Sequence, residues 1–325
     1  MKILFFGTSK FAIPSLRALA QSTHDILAVI TQPDRRRGRG LQVTAPPVKD
    51  EAKKLGLKIE QLKDVSSSQS QDLLAKYDTD LFVVVSFGQI LKEAVLKIPK
   101  IFSINLHASL LPKYRGAAPI NWALVNGEAI SGVTVMRMTE KLDAGDVIFS
   151  REEPITDDDD AGTLSVRLAN IGAEVLVEAV SRIEKGEAVM KSQDRSKVTL
   201  APSLKREDGL IDWTKVSKEI RNHIRGMMPW PGAFTYHKSK IFKLHKVEEV
   251  RIEPGDQSPG EIVGVSKEDG ITVKTGERDM GIIIKELQME GRRTMGTAEF
   301  LRGYTVVPGD RFGKTAKQMP SKGDR

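Results

Sequence analysis

Short apolar runs and helical spacings take turns through the N-terminal part of the chain, and the pattern then changes. Lys2–Phe6 (KILFF) is an apolar run that gives out at Gly7-Thr8. Between Phe11 and Leu19, apolar residues at 11, 12, 16 and 19 keep a helical spacing. Ile26–Thr31 (ILAVIT) is apolar again. The chain therefore opens strand, loop, helix, strand, the order of a parallel sheet with crossover helices. Leu81–Ser86 (LFVVVS) and Ile101–Leu106 (IFSINL) predict two more buried strands, with a short helix over Gln89–Leu96 that ends before Pro99. Gly132–Met138 (GVTVMRM) alternates and predicts a further strand, and Gly162–Gly186 predicts a long amphipathic helix stopped by its last glycine.

Beyond that helix, Glu187–Trp213 is polar, contains a proline and holds no period, which predicts a linker between domains. Thr214 is the expected cap of a helix from Lys215 to about Met228, ended by Pro229–Gly232 (PWPG). Short alternating runs broken by glycines follow, the pattern of a small β-barrel. The expected division is 1–188 for an α/β domain with a parallel sheet, 189–208 for the linker and 209–325 for the barrel. Ser66–Gln71 and Asp157–Asp160 are minor low-complexity patches, the second a solvated run at a helix N-terminus.

Composition narrows the chemistry. A length of 325 residues suits about two domains. No apolar run approaches the roughly 18 residues that span a bilayer. The first residues lack the long apolar core of a secretory signal, so a cytoplasmic protein is expected. There is no cysteine, which excludes disulfides, thiolate nucleophiles and cysteine-bound metals. The five histidines form no metal-binding spacing, and no metal is expected. The net charge is +7, with 23 Lys and Arg against 18 Asp and Glu in residues 201–325, so +5 of it lies in the shorter C-terminal part. That balance suits a polyanionic partner as well as a plain basic surface.

The stretch Ser103–Pro119 (SINLHASLLPKYRGAAP) carries the most specific chemistry. Asn105 and His107 stand two residues apart at a strand end, so their side chains share a face. In open parallel sheets, ligands bind beyond the carboxyl ends of the strands. An asparagine amide can donate to an oxygen that gains charge, and a histidine can move a proton near neutral pH. Lys141–Ile148 (KLDAGDVI) supplies Asp143 and Asp146 as third members. Without a serine, cysteine or metal in the set, the nucleophile belongs to the substrate, as when an amine attacks a carbonyl. A purely local role, satisfying loop backbone, is open to the same residues.

These residues resemble the folate-dependent formyltransferases. The likeness rests on NLHASLLPKYRGAAP with Asp143 in LDAGD, and extends through FFGTSKFAIPSL, TQPDRRRGRG, LFVVVSFGQIL, LAPSLKREDGLIDW, MMPWPGAFT and VVPGDRFG, in order along nearly the whole chain. It implies a Rossmann-like catalytic domain, an OB-like barrel and a monomer. It also implies transfer of a formyl group from 10-formyltetrahydrofolate to an amine, with Asn105 and His107 acting on the formyl donor and Asp143 supporting His107. Asp146 is left to the turn. Phe87, Gly88 and Gln89 would line the pterin pocket, and Ser109, Leu110, Leu111 and Pro112 would form a backbone ledge along the folate.

The resemblance is to the branch whose acceptor is the methionine of initiator Met-tRNA. Arg35, Arg36, Arg37 and Arg39 would then lie in a loop that grips the tRNA, since arginine forks bind phosphate and stack on bases. Arg39 is expected to matter most. Arg292, Arg293, Lys238 and Lys240 are further phosphate candidates on the barrel. The alternative acceptor, an amino sugar nucleotide, would use the same Asn105, His107 and Asp143 without needing the arginine loop or the basic barrel.

Overall fold

The apolar run that begins the chain becomes an interior strand of a seven-stranded sheet. A computed structural model describes residues 1–37 and 42–313. The chain divides into two units. The first comprises Met1–Pro119, Ile130–Ile155 and Thr163–Pro202; the second comprises Ile120–Ala129, Thr156–Gly162 and the chain from Ser203 onward.

In the first unit, β1 (Lys2–Gly7) leads through α1 (Ile13–Ala20) to β2 (Asp25–Thr31). A small hairpin of β3 (Arg35–Arg37) and β4 (Gln42–Thr44) follows, then α2 (Pro47–Lys54), β5 (Ile59–Gln61), α3 (Ser68–Ala75) and β6 (Leu81–Val85). Next come α4 (Glu93–Leu96), β7 (Phe102–His107), the short β8 (Arg115–Gly116), β9 (Ile130–Arg137), β10 (Val147–Pro154) and α6 (Ala161–Glu184). Between β8 and β9 lies α5 (Pro119–Val125), nearly all of which belongs to the second unit. The strand order is β5-β2-β1-β6-β7-β9-β10, parallel from β5 to β7, with β9 and β10 antiparallel. Parallel central strands are covered on both faces, which is why β1 and β6 read as unbroken apolar runs.

β1 lies between β2 and β6, so the sheet grows first to one side of it and then to the other. That makes the β1–β6 junction the topological switch point, where such sheets open a crevice at their carboxyl ends. The core beneath it is built on Phe6, whose ring lies 4.8 Å from Phe82 and 5.4 Å, edge-on, from Phe87. Leu4, Ile30, Leu62, Leu74 and Val84 fill the space around them.

Several of the expected elements differ in the structure. The helix expected over Gln89–Leu96 covers only Glu93–Leu96. The serine-rich patch opens α3, with Ser67 as its cap accepting the Ser70 N–H at 3.3 Å. The polar segment after α6 does not run free: Lys191 and Val147 exchange both backbone hydrogen bonds, and β11 (Leu200–Ala201) pairs in parallel with β8.

The second unit is a barrel. Its sheet runs β12 (Phe234–His237), β13 (Lys240–Arg251), β16 (Met280–Met289), β15 (Gly270–Lys274), β14 (Ile262–Ser266), with β17 (Met295–Gly296) beside β16. Gly313 bridges Tyr236 on one edge strand and Arg311 bridges Glu261 next to the other, which closes the sheet. Phe312, 1% exposed, plugs the seam and stacks on Trp213 at 6.1 Å. α7 (Ser217–Met227) lays Ile220, Ile224 and Met227 into the core of Phe242, Leu244, Ile282 and Ile284, ahead of the short α8 (Thr297–Phe300).

Thr214 is not the cap of α7. Its hydroxyl is bound to Asp212, and the Ser217 N–H in the first turn is accepted instead by Glu277 at 2.6 Å. The aspartate run is not all solvated. Asp159 is buried and accepts from Thr156, while Asp157 meets Arg221 at 3.2 Å. Among the described residues no helix is long and apolar enough to cross a membrane.

Candidate active site

The carboxyl end of β7 carries Asn105 and His107 on one face, with Leu106 turned into the core between them. The loop from β9 to β10 brings Asp143 to the same edge. His107 is 6% exposed, and both of its ring nitrogens face oxygens. Nε2 lies 2.8 Å from the Tyr114 carbonyl and Nδ1 lies 3.6 Å from Asp143 Oδ2. A carbonyl has no proton to give, so Nε2–H donates to it. In the neutral ring Nδ1 then carries the lone pair that faces Asp143. A proton taken up by His107 therefore lands on Nδ1, beside the carboxylate.

The carboxylate is itself fixed, because Asp143 Oδ2 accepts the Gly116 N–H at 2.8 Å. Gly116 has φ +126°, and a Cβ there would come within 2.4 Å of the Ala201 carbonyl oxygen, so the turn admits only glycine. Tyr114 (φ 60°), Asp143 (φ 48°) and Ser86 (φ 46°) also hold left-handed backbone. Non-glycine residues in that region cost of order 1–3 kcal/mol and gather where geometry is fixed for function.

The half-buried Asn105 amide makes no hydrogen bond to any described residue, so its donors are free for a ligand at that strand end. Phe87 puts its ring in the core, and its carbonyl accepts from Thr8 at 2.7 Å and Gln32 at 2.9 Å. Gly88 has φ +81° and packs against the Gln32 amide. The Gln89 side chain is spent on its own framework, accepting the Val65 N–H and donating to the Leu62 carbonyl. The backbone N–H groups from Phe87 to Leu91, however, donate to no described residue. Donors left unpaired by the protein are open to water or a ligand.

In the loop after β7, Ser109 Oγ closes a turn onto the Lys113 carbonyl at 2.6 Å, and Leu110 packs over Gly132. Thr134 staples this ledge: its hydroxyl donates to the Ser109 carbonyl at 2.7 Å and accepts the Leu111 N–H at 3.2 Å. The Leu111–Pro112 peptide is cis. Asp146 accepts from Ser192 at 2.9 Å.

Sequence reasoning missed four contributors: the Tyr114 carbonyl, the Gly116 N–H, Thr134 and Gln193. The first two lie within the motif already singled out, but backbone groups leave no residue signature. Of the arginine loop, Arg35 is exposed, and Arg36 and Arg37 pair through their backbone with Val43 and Gln42. Arg39 lies outside the described residues. On the barrel, Lys238 pairs with Asp310 and Arg293 with Glu299.

The formyl transferase family model matches residues 1–180, and the model of the formyl transferase C-terminal domain matches residues 203–305. A methionyl-tRNA formyltransferase of Geobacter sulfurreducens is 46% identical over 314 residues, covering 97% of each chain. One of Citrifermentans bemidjiense is 44% identical with the same coverage. Among solved structures, the sugar 3N-formyl transferase WlaRD superposes with a TM-score of 0.65 at 21% identity, over 90% of this chain and 99% of that one. HypX from Aquifex aeolicus, solved with tetrahydrofolic acid, gives 0.60 at 20% identity over 93% of this chain, which spans 47% of HypX. At such identities the structures speak for the fold. Two family models in chain order and relatives this similar over nearly their whole length establish that the chain belongs to the methionyl-tRNA formyltransferase family.

Proposed function

We propose that the protein transfers a formyl group from 10-formyltetrahydrofolate to the α-amino group of methionine on initiator Met-tRNA, giving formyl-Met-tRNA. The folate, when bound, supplies the formyl group in activated form. Asn105 donates its free amide N–H to the formyl oxygen as negative charge develops there. His107 takes up the proton released by the attacking amine at Nδ1, with Asp143 holding the resulting cation, and gives it up to the leaving N10 as the bond between N10 and the formyl carbon breaks. The observation that carries this division is the tie of His107 Nε2 to the Tyr114 carbonyl, which leaves Nδ1 and its carboxylate for the moving proton and Asn105 for the oxygen. Phe87–Gln89 and Ser109–Pro112 frame the folate, chiefly through backbone.

Residues 1–188 are taken as the catalytic domain, 189–208 as the connection and 209–325 as a tRNA-contacting barrel. The arginine loop Arg35, Arg36, Arg37 and Arg39 supplies phosphate contacts. A two-domain chain of this kind works as a monomer in the cytoplasm. The test is direct. The protein is mixed with 10-formyltetrahydrofolate and charged initiator tRNA, and formyl-methionine is measured on the tRNA. Formylation of an amino sugar nucleotide with none on tRNA would overturn the reading.

A further inference from the structure

Residues 191–201 form a strap across the loops that carry Asp143 and Gly116. Most of the strap is exposed, but Gln193 is half-buried between exposed neighbours. Its carboxamide is fully used. Nε2 donates to the Asp143 carbonyl at 3.0 Å and to the Gly145 carbonyl at 2.7 Å. Oε1 accepts from Arg115 Nε at 3.1 Å and from Nη2 at 2.6 Å. An amide has two N–H donors and one oxygen with two lone pairs, so all four positions are filled. The reverse orientation would set its oxygen against two carbonyls and its N–H₂ against a guanidinium, so only one orientation satisfies the site.

These four bonds span two segments that must stay in register. One carries the Asp143 carboxylate. The other, Tyr114–Gly116, carries the carbonyl that receives His107 Nε2–H and the N–H that fixes Asp143 Oδ2. Thr199 secures the same turn, accepting the Tyr114 N–H through Oγ1 at 2.8 Å and the Arg115 N–H through its carbonyl at 2.9 Å. A closed ring results: His107 to the Tyr114–Arg115 turn, Arg115 to Gln193, Gln193 to Asp143, and Asp143 back to His107.

We propose that Gln193 is a positioning residue that sets the distance between Asp143 and His107, so that the strap beyond the long helix is also part of the reaction machinery. The proposal rests on the catalytic reading of Asp143 and His107 given above. It predicts a loss in the chemical step with substrate binding kept. A displacement of about 1 Å costs on the order of 10²-fold in rate.

The experiment compares Gln193→Leu, Gln193→Glu, Ser192→Ala, Asp143→Ala and wild type in the formylation of Met-tRNA, with a thermal melt of each. Gln193→Leu removes all four bonds. Gln193→Glu keeps an acceptor for Arg115 but turns an oxygen onto the two carbonyls. Ser192→Ala cuts only the neighbouring strap bond to Asp146. The expected result is kcat lower by about 10²-fold in both Gln193 variants, KM for both substrates near wild type, and Ser192→Ala close to wild type. Hydrogen exchange over Tyr114–Ala118 should quicken in Gln193→Leu while β1 is unaffected. If Asp143→Ala abolishes turnover but both folded Gln193 variants keep wild-type kcat, the proposal falls and the catalytic reading stands. If Gln193→Leu fails to fold, Gln193→Glu decides alone. If Asp143→Ala itself retains wild-type kcat, the catalytic reading falls and takes the proposal with it.

Discussion

His107 and Asp143 meet at 3.6 Å, Nδ1 to Oδ2, with the carboxylate already anchored by a backbone N–H. The pair is close enough for the carboxylate to stabilise a proton on the ring and is not closed into a hydrogen bond. Asp143→Asn keeps the shape and removes the charge. It should lower kcat by about 10²–10⁴-fold, the range for a general acid–base group. Filter binding of tRNA should be unchanged, and an equal loss of tRNA affinity would make the contact structural.

Asn105→Ala tests the other half of the division. Removing one donor to a developing oxyanion costs roughly 10²–10³-fold in kcat. Because the amide has no partner among the described residues, the variant should melt close to wild type. A large fall in stability with full activity would assign Asn105 to the scaffold.

Gly116→Ala should harm both fold and rate. The residue sits at φ +126° with the Ala201 carbonyl 2.4 Å from any added Cβ. The strain is of order 1–3 kcal/mol, and relief requires β8 and β11 to part. Since the same residue donates to Asp143, kcat should fall along with the melting temperature. A variant that is stable and fully active would show that the turn tolerates the shift.

The barrel unit should weaken in mild acid. Burial pushes the His223 imidazole below its ordinary value, against the opposing pull of the Gly209 carbonyl, Asp208 and Asp212. His237 and His245 are depressed as well, in each case chiefly by burial. The unfolded chain then binds protons that the folded unit refuses. Stability is full above the unfolded value of about 6.5 and falls as pH drops from there towards the depressed folded values. Melting curves of wild type and His223→Gln between pH values of about 5 and 7.5 provide the check. The substitution should flatten the dependence, and an unchanged slope would remove His223 from it.

Replacing Arg35, Arg36 and Arg37 together with serine should weaken tRNA binding and reduce its salt dependence. Each phosphate left without its arginine should take about 0.7–0.9 from the slope of log affinity against log salt. Steady-state activity on saturating tRNA should change little. A preserved salt slope would take these arginines out of the tRNA interface.

Much of this molecule was legible in its sequence. The buried strands announced themselves because parallel strands are apolar throughout, and the long helix because its period is sustained over Ala161–Glu184. Asn105 and His107 could be placed on one face because the strand period is fixed at two. Other features were hidden for physical reasons. The start of α3 is serine and glutamine, whose capping value depends on backbone conformation. Asp159 is buried inside a run of four aspartates, and composition does not distinguish the buried member from its solvated neighbours. The strap at 191–201 has no period at all, because its hydrogen bonds go to backbone groups and to the Arg115 and Asp146 side chains of distant loops.

The pairing of β11 with β8 bears on how the chain matures. Asn105, His107 and Asp143 all lie before residue 144, and the family model for the first domain ends at residue 180. Yet the turn that carries Gly116 is completed only by Thr199 and Ala201. During synthesis the sheet can assemble long before those residues leave the ribosome. A fragment cut at Ala188 should therefore fold around its sheet and carry Asn105, His107 and Asp143, but lack the register that joins them. The smallest active piece of the first unit would have to reach Pro202.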